Sequence, residues 1–511
     1  MSTRGFYSGA FAGMNAPMTT LATQRLTGIT LALGLICTAC GGSDETSGSS
    51  DKTEDKAGED KAGEDKADAD KAGDAKAGDA KAGEDKPAAE GDKPAEGDKP
   101  AAAAAPAAGA GPAYFAVNMK GIAKLDVDGT WSMLAENNNQ LISDMFIGPD
   151  GQVYLIDYQG LHKIADGKLE KVLEFGYKDI GSVSHLAMVK GGDLWAVNYK
   201  GVGNYTGGAW TLTEKEKIDG VDMLTDVAVA GDGTPWISGS KTVLKRNGEA
   251  WEAVDLSSLG DNPYIFRLGT APDGTVYGQT SRELVQFGAE VKKIAINSKN
   301  FMGYSAAMEF GPNGQVAVSS SLCDLARLDP NNPDEVWLMS KDDLDCLSFQ
   351  GLALDGQNRV WISSREGLSV VGEDKKPTEY GTGTIMELVG NVSHIVVVGS
   401  GPTLPAAGTA HTGGVTGKVL QDGTAIAGAK IEMCPSPQIF GSGSPCSTSK
   451  IKFEGTTTDK GEFTFENVPL GDYNVAVEID GKWRSNYIPS FATKMKEGQT
   501  YDVGAVTYSK M

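Results

Sequence analysis

A self-similar unit of about 41 residues recurs along the middle of the chain, and no other feature restricts its fold so tightly. The segments IGPDGQVYLIDYQGLHKI (147–164), VAGDGTPWISGSKTVLKR (229–246) and TAPDGTVYGQTSRELVQF (270–287) share one plan. Each reads as a short strand, an Asp-Gly turn, a strand with an aromatic residue, a small-residue turn and a third strand. Asp-Gly is a hairpin signal because both residues tolerate positive φ. The segments VKGGDLWAVNYKGVGNY (189–205), FGPNGQVAVSSSLCDLARL (310–328) and DGQNRVWISSREGLSVV (355–371) continue the series. AYFAVNMKGIAKLDVDGTW (113–131) opens it without a first strand. The landmark position reads Phe115, Tyr154, Trp195, Trp236, Tyr277, Ala317 and Trp361, with gaps of 39, 41, 41, 41, 40 and 44. A fourth strand often starts at a tryptophan, as at Trp131, Trp210 and Trp251.

Seven units of four short strands predict a seven-bladed β-propeller over 113–401, with six or eight blades as the neighbouring solutions. The two ends of the array agree. NVSHIVVVGSG (391–401) matches SVSHLAMVKGG (182–192), an innermost strand with its turn. Ser393–Val398 is therefore expected to lie against Tyr114–Val117 and complete the first blade. The pattern D-G-x-V-W/Y followed by G-L resembles the propeller repeats of two-component regulator sensors. It resembles more loosely the NHL and streptogramin-lyase propellers. The resemblance implies the fold; propellers host many activities.

Pro/Gly/Thr-rich residues 402–412 form a linker, and 413–511 alternate in the manner of half-buried strands. Thr458, Asp459, Gly461, Phe463, Phe465, Pro469, Gly471, Tyr473, Val475 and Val477 make up T-D-x-G-x-F-x-F and P-x-G-x-Y-x-V-x-V. This pattern resembles the carboxypeptidase-regulatory-like (prealbumin-like) β-sandwich, which implies an accessory module without catalytic residues. The whole chain is thus expected to be all-β.

The N-terminus is organised differently. Arg25 precedes the apolar run Leu26–Ile36, which ends at Cys37-Thr38-Ala39-Cys40-Gly41-Gly42-Ser43. This order describes an export signal over 1–39, the true start being Met1, Met14 or Met18. Small residues before Cys40 resemble a bacterial lipoprotein signal, which implies acylation of Cys40 by fatty acids such as palmitate. The alternative is a secretory signal with an incidental cysteine. From Ser43 to Pro112 the only apolar residues are Ala, Gly and Pro. Such a segment cannot offset its ordering entropy. Residues 40–112 therefore read as a disordered tether spanning on the order of 45 Å. Gly41 after Cys40 favours, by the same resemblance, the outer membrane; whether the body faces the periplasm or the exterior stays open.

With Cys37 removed in the signal and Cys40 assigned to lipid, Cys323, Cys346, Cys434 and Cys446 form two local pairs, one per folded region. Export favours disulfides Cys323–Cys346 and Cys434–Cys446. A net charge of −22 argues against nucleic acid as a partner.

Ten residues before each landmark an innermost strand begins, near one mouth of the central channel. The residues there are Asp144, His185, Asp226, Arg267, Ala307 and Gly351, with His394 the counterpart in the closing strand. Five of these seven positions are ionisable and two are small. His185, His394, Asp144 and Asp226 are the donors for a divalent metal ion, the candidate cofactor, and Arg267 suits a carboxylate or phosphate. The competing expectation is that polar residues at a channel mouth only meet water. The lyases carry functional histidines in this strand region; here it reads Ser184-His185-Leu186 and Ser393-His394-Ile395. No G-x-S-x-G, Walker, H-E-x-x-H or EF-hand pattern occurs. Three functions follow. The first is a lipid-anchored, non-catalytic envelope protein that binds a protein, glycan or small ligand. The second is a metal-assisted propeller hydrolase or lyase of lactonase type. The third is a structural envelope protein.

Overall fold

The structure is a computed structural model that describes residues 109–136, 141–175, 180–260, 263–296, 305–321, 323–344, 346, 349–438, 443–488 and 491–509. The expected signal peptide, Cys40 and nearly all of the tether lie outside them. Among the described residues, seven four-stranded antiparallel sheets follow one another as propeller blades. Blade 2 is typical: Ile142–Ile147, Val153–Asp157, Gly160–Ala165 and Lys168–Glu174 run from the innermost strand outward. The other innermost strands are His185–Met188, Leu224–Val229, Arg267–Thr270, Ser305–Phe310 and Phe349–Leu354 for blades 3 to 7.

Blade 1 is built from both ends of the array. Its innermost strand is Val392–Gly399, which pairs with Ala110–Val117. Ala113 stands opposite Val397, Tyr114 opposite Val396, Phe115 opposite Ile395 and Ala116 opposite His394. Blade 7 clamps the exit of this strand. Asp355 accepts from Arg359 Nε at 2.7 Å and from Trp361 Nε1 at 2.9 Å. Arg359 in turn donates to the carbonyls of Ser400 and Pro402. Trp361 is fully buried, 6.1 Å from the Phe115 ring across the blade 7–blade 1 seam. The landmark aromatics thus fill the space between blades, which no single sheet can cover alone.

The register places the blade 1 landmark one residue before the expected Phe115. Tyr114 opposite Val396 matches Tyr154 opposite Phe146 and Trp195 opposite Ala187. Phe115, opposite Ile395, takes the other face of the blade and packs on Trp361 of blade 7, since a one-residue slip reverses which face a side chain takes.

After the propeller come two further sheets. Thr412–Gln421 pairs with Thr424–Ala425 and Glu462–Pro469, and in parallel with Thr500–Tyr508. Lys430–Cys434 pairs with Phe453–Thr456 and Asn474–Ile479, and the latter with Lys482–Tyr487. Val415, Val419, Ile431, Phe463, Tyr473 and Val475 are buried between these sheets, as their alternation requires. Val389, from the loop leaving blade 7, joins the same core. Ser449 Oγ donates to Glu366 Oε1 of blade 7 at 2.6 Å. The sandwich therefore packs against the propeller rather than hanging from it.

Both disulfides pair as the cysteine spacing predicts. Cys323 sits in the turn before the third strand of blade 6, not on that strand, and Cys346 in the loop entering blade 7.

The closing seam generates a test. Ile395 is 4% exposed, whereas Val172 on an outer strand is 52% exposed. Ile395→Asp should lower unfolding free energy by about 3 kcal/mol or more, because it buries an unpaired charge. Val172→Asp should change it by roughly 0.5 kcal/mol or less. Urea unfolding of the two variants checks this.

Candidate functional site at the channel mouth

The innermost strands share a device at their start. In blades 2, 4, 6 and 7 the ladder skips one residue, between Ile142 and Asp144, Leu224 and Asp226, Ser305 and Ala307, and Phe349 and Gly351. The closing strand skips Ser393, and in blades 3 and 5 the ladder itself begins at His185 and Arg267. A bulge bends its strand and re-aims the next side chain. The ring residues consequently occupy one level: Asp144 faces Ile156, His185 faces Val197, Asp226 faces Ser238 and Arg267 faces Gln279 across their ladders.

The ionisable members meet across blades. Arg267 Nη1 lies 3.0 Å from His185 Nε2. A guanidinium only donates, so this ring nitrogen accepts and the imidazole proton sits on Nδ1. That Nδ1 faces Asp226 Oδ1 at 3.7 Å. Asp226 is buried and has a second duty. Its Oδ1 accepts from Val227 N at 2.8 Å and its Oδ2 from Leu268 N at 3.0 Å, stapling blade 4 to blade 5. Asp144 Oδ1 accepts from Met145 N at 2.8 Å. His394 Nδ1 lies 3.0 Å from Ser393 Oγ. Burial pushes the His394 imidazole below its usual range, Asp144 opposes this, and His185 and Arg267 add to it. One polar cluster thus joins blades 1 to 5.

Glu309 belongs to it as well. It lies two residues beyond Ala307 on the innermost strand of blade 6, reached by solvent yet enclosed among the blades that carry Asp144, Asp226 and Arg267. Desolvation by the surrounding channel wall pushes its carboxyl up to about 8; Asp144 and then Asp226 add to the rise, while Arg267 opposes it. The sequence carried a signal for this residue. The matching positions of the other blades are Phe146, Ala187, Ala228, Gly269, Ala353 and Val396, none of them charged. The strand period of two places Glu309 on the same side as Ala307.

The small part of the ring, Ala307 and Gly351, is not open throughout. A Cβ on Gly351 would meet Ser363 Oγ at 3.0 Å and Ser393 O at 3.1 Å, because the closing strand approaches closely there. Behind the ring, Gln279 and Ser319 are fully buried, and their side-chain polar atoms have no hydrogen-bond partner among the described residues.

A divalent cation needs carboxylates and imidazoles to converge on one point. Among the described residues no three His, Cys, Asp or Glu side chains do so. Arg267 stands between the candidate donors, and Asp226 spends an oxygen on each of two backbone amides. The same groups suit a ligand that both donates and accepts hydrogen bonds. Asp144 accepts, Arg267 donates, and the carboxyl of Glu309 does either according to its protonation.

No family model matches the chain, and no curated protein matches it in sequence. Among solved structures it is similar to a streptogramin B lyase, at 14% identity and TM-score 0.39, over 50% of this chain and 87% of that one. It is similar also to virginiamycin B lyase from Staphylococcus aureus, at 12% identity and TM-score 0.37, over 48% and 85%. The WD40 β-propeller domain of Doa1 matches at 10% identity and TM-score 0.37, over 48% and 84%.

Glu309 makes stability depend on pH in a stated direction. Its folded value of about 8 exceeds the ordinary 4.5, so the folded state keeps a proton that the unfolded state releases. Its contribution is complete below that ordinary value and is lost as pH rises to the folded one. The melting temperature of wild type relative to Glu309→Gln should therefore fall across this interval and level off above it. Paired thermal melts at successive pH values check the sign.

Proposed function

We propose that the chain is a non-catalytic binding protein of the bacterial cell envelope, held by a lipid on Cys40 and extended from the outer membrane by residues 43–112. The channel mouth of the propeller takes the ligand, which is a protein, a glycan or a small molecule. The observation that carries this reading is the mixed cluster of Arg267, His185, Asp226, Asp144 and His394 at one level of the channel, with Glu309 two residues beyond it. Its members neutralise and orient one another instead of isolating a nucleophile or a base. No helix among the described residues is long and apolar enough to cross a membrane, so a lipid anchor would supply the attachment. Two acyl chains hold a protein stably where one does not.

Thermal melting of the full chain tests the site. A ligand present at a hundred times its Kd adds about 2.7 kcal/mol to stability. Size-fractionated envelope extract should raise the melting temperature of wild type and leave Arg267→Ala unmoved. A rise produced instead by a divalent cation, and abolished in His185→Ala, would replace this reading with a metal-dependent one. For the anchor, palmitate labelling of cells should mark the wild-type protein and not Cys40→Ala.

A further inference from the structure

Two tyrosines stand out on the face that holds the mouth. Tyr158 is 67% exposed and Tyr199 is 65% exposed, more than any other large apolar or aromatic residue described. They sit 41 residues apart, in the turns between the second and third strands of blades 2 and 3. Strand direction fixes their side of the disc. Asp144 pairs with Ile156, and the turn at Tyr158 follows two residues later. His185 pairs with Val197, and the turn at Tyr199 likewise follows two residues later. At about 3.3 Å per residue, each ring is rooted roughly 7 Å beyond the ring level, on the rim of the mouth.

Both turns are built to hold these side chains outward. Asp157, buried, accepts through Oδ1 from Gln159 N at 2.7 Å and Gly160 N at 3.0 Å. Asn198, equally buried, accepts from Lys200 N at 2.8 Å and Gly201 N at 3.1 Å. An Asx side chain that ties down its own turn removes backbone freedom beforehand, so an exposed ring there costs little to order on binding. Blades 4, 5 and 7 carry Ser240, Ser281 and Arg365 at the matching place. The rings therefore occur on the two blades whose innermost strands carry Asp144 and His185.

We propose that Tyr158 and Tyr199 form a carbohydrate platform at the rim of the channel mouth, stacking on sugar rings whose hydroxyls reach the polar cluster below. The inference rests on the mouth being the binding face. A pyranose presents an apolar face of C–H bonds, which suits the negative face of a tyrosine ring, and a rim of hydroxyls that donate and accept. Asp144 accepts from such hydroxyls and Arg267 donates to them. A protein partner fits less well. Protein interfaces have cores depleted in charge, whereas here the two rings stand apart on separate turns beside an ionisable funnel.

The experiment is calorimetry on the full chain with soluble β-1,4-linked hexasaccharides of glucose, N-acetylglucosamine and xylose, and with an oligogalacturonate. At least one should bind. Tyr158→Ala and Tyr199→Ala should each weaken it about tenfold, the combined variant more, while Tyr→Phe at both sites keeps affinity within about twofold. Unchanged melting temperatures of these surface variants separate lost contact from lost fold. Arg267→Ala reports on the mouth itself. Binding that Arg267→Ala abolishes and both Tyr→Ala variants leave intact would overturn the platform and keep the mouth as the site. Absence of binding by every saccharide, or binding indifferent to all these substitutions, would overturn the platform outright.

Discussion

The structure depends on one strand pairing, that of Val392–Gly399 with Ala110–Val117. Each blade buries one face against the blade before it and one against the blade after. An array of such sheets is satisfied only when its last member meets its first. Without the closing strand, blade 1 would show an unpaired inner edge of Tyr114, Phe115 and Ala116, and edges of this kind invite pairing with other chains. The Asp355–Arg359–Trp361 group strengthens the seam from blade 7 by tying down the residues that follow the closing strand. Closure also brings His394, 250 residues away in sequence from Asp144, to the same level of the channel.

The mouth follows from closure and from the bulges. Seven strands start at a common level, and a skipped residue turns the next side chain toward its neighbours. Polar groups placed there have few options, because each is bounded by the adjacent blades. Asp226 shows the outcome most plainly: a residue at a ligand-ready position also staples two blades through backbone amides. Arg267 engages His185 instead of standing free. The cluster is therefore part of the scaffold, its charges held against one another and against backbone amides.

Sandwich and propeller share apolar contact through Val389 and polar contact through Ser449 and Glu366. The docking falls on blade 7 and its exit loop, so blades 2 and 3, with Tyr158 and Tyr199, belong to another part of the ring. The proposed binding rim and the sandwich contacts thus use separate blades.

The amino-acid sequence by itself determined the blade count, the strand that closes the ring, the two disulfide pairs and the residues that share the mouth level. These are matters of period and order, which repeat copies faithfully. Even there it misplaced the first landmark by one residue, because Tyr114 and Phe115 are adjacent aromatics and spacing alone does not say which of them faces the next blade. Only the tertiary structure decided that Glu309 joins the cluster, that Asp226 is a staple, that Gly351 is filled by a neighbouring strand, and that Tyr158 and Tyr199 stand out on the mouth face. Each of these depends on how closely one blade approaches the next. That distance is set by the packing of Trp361, Phe115 and their counterparts between sheets, and no stretch of a single blade encodes it.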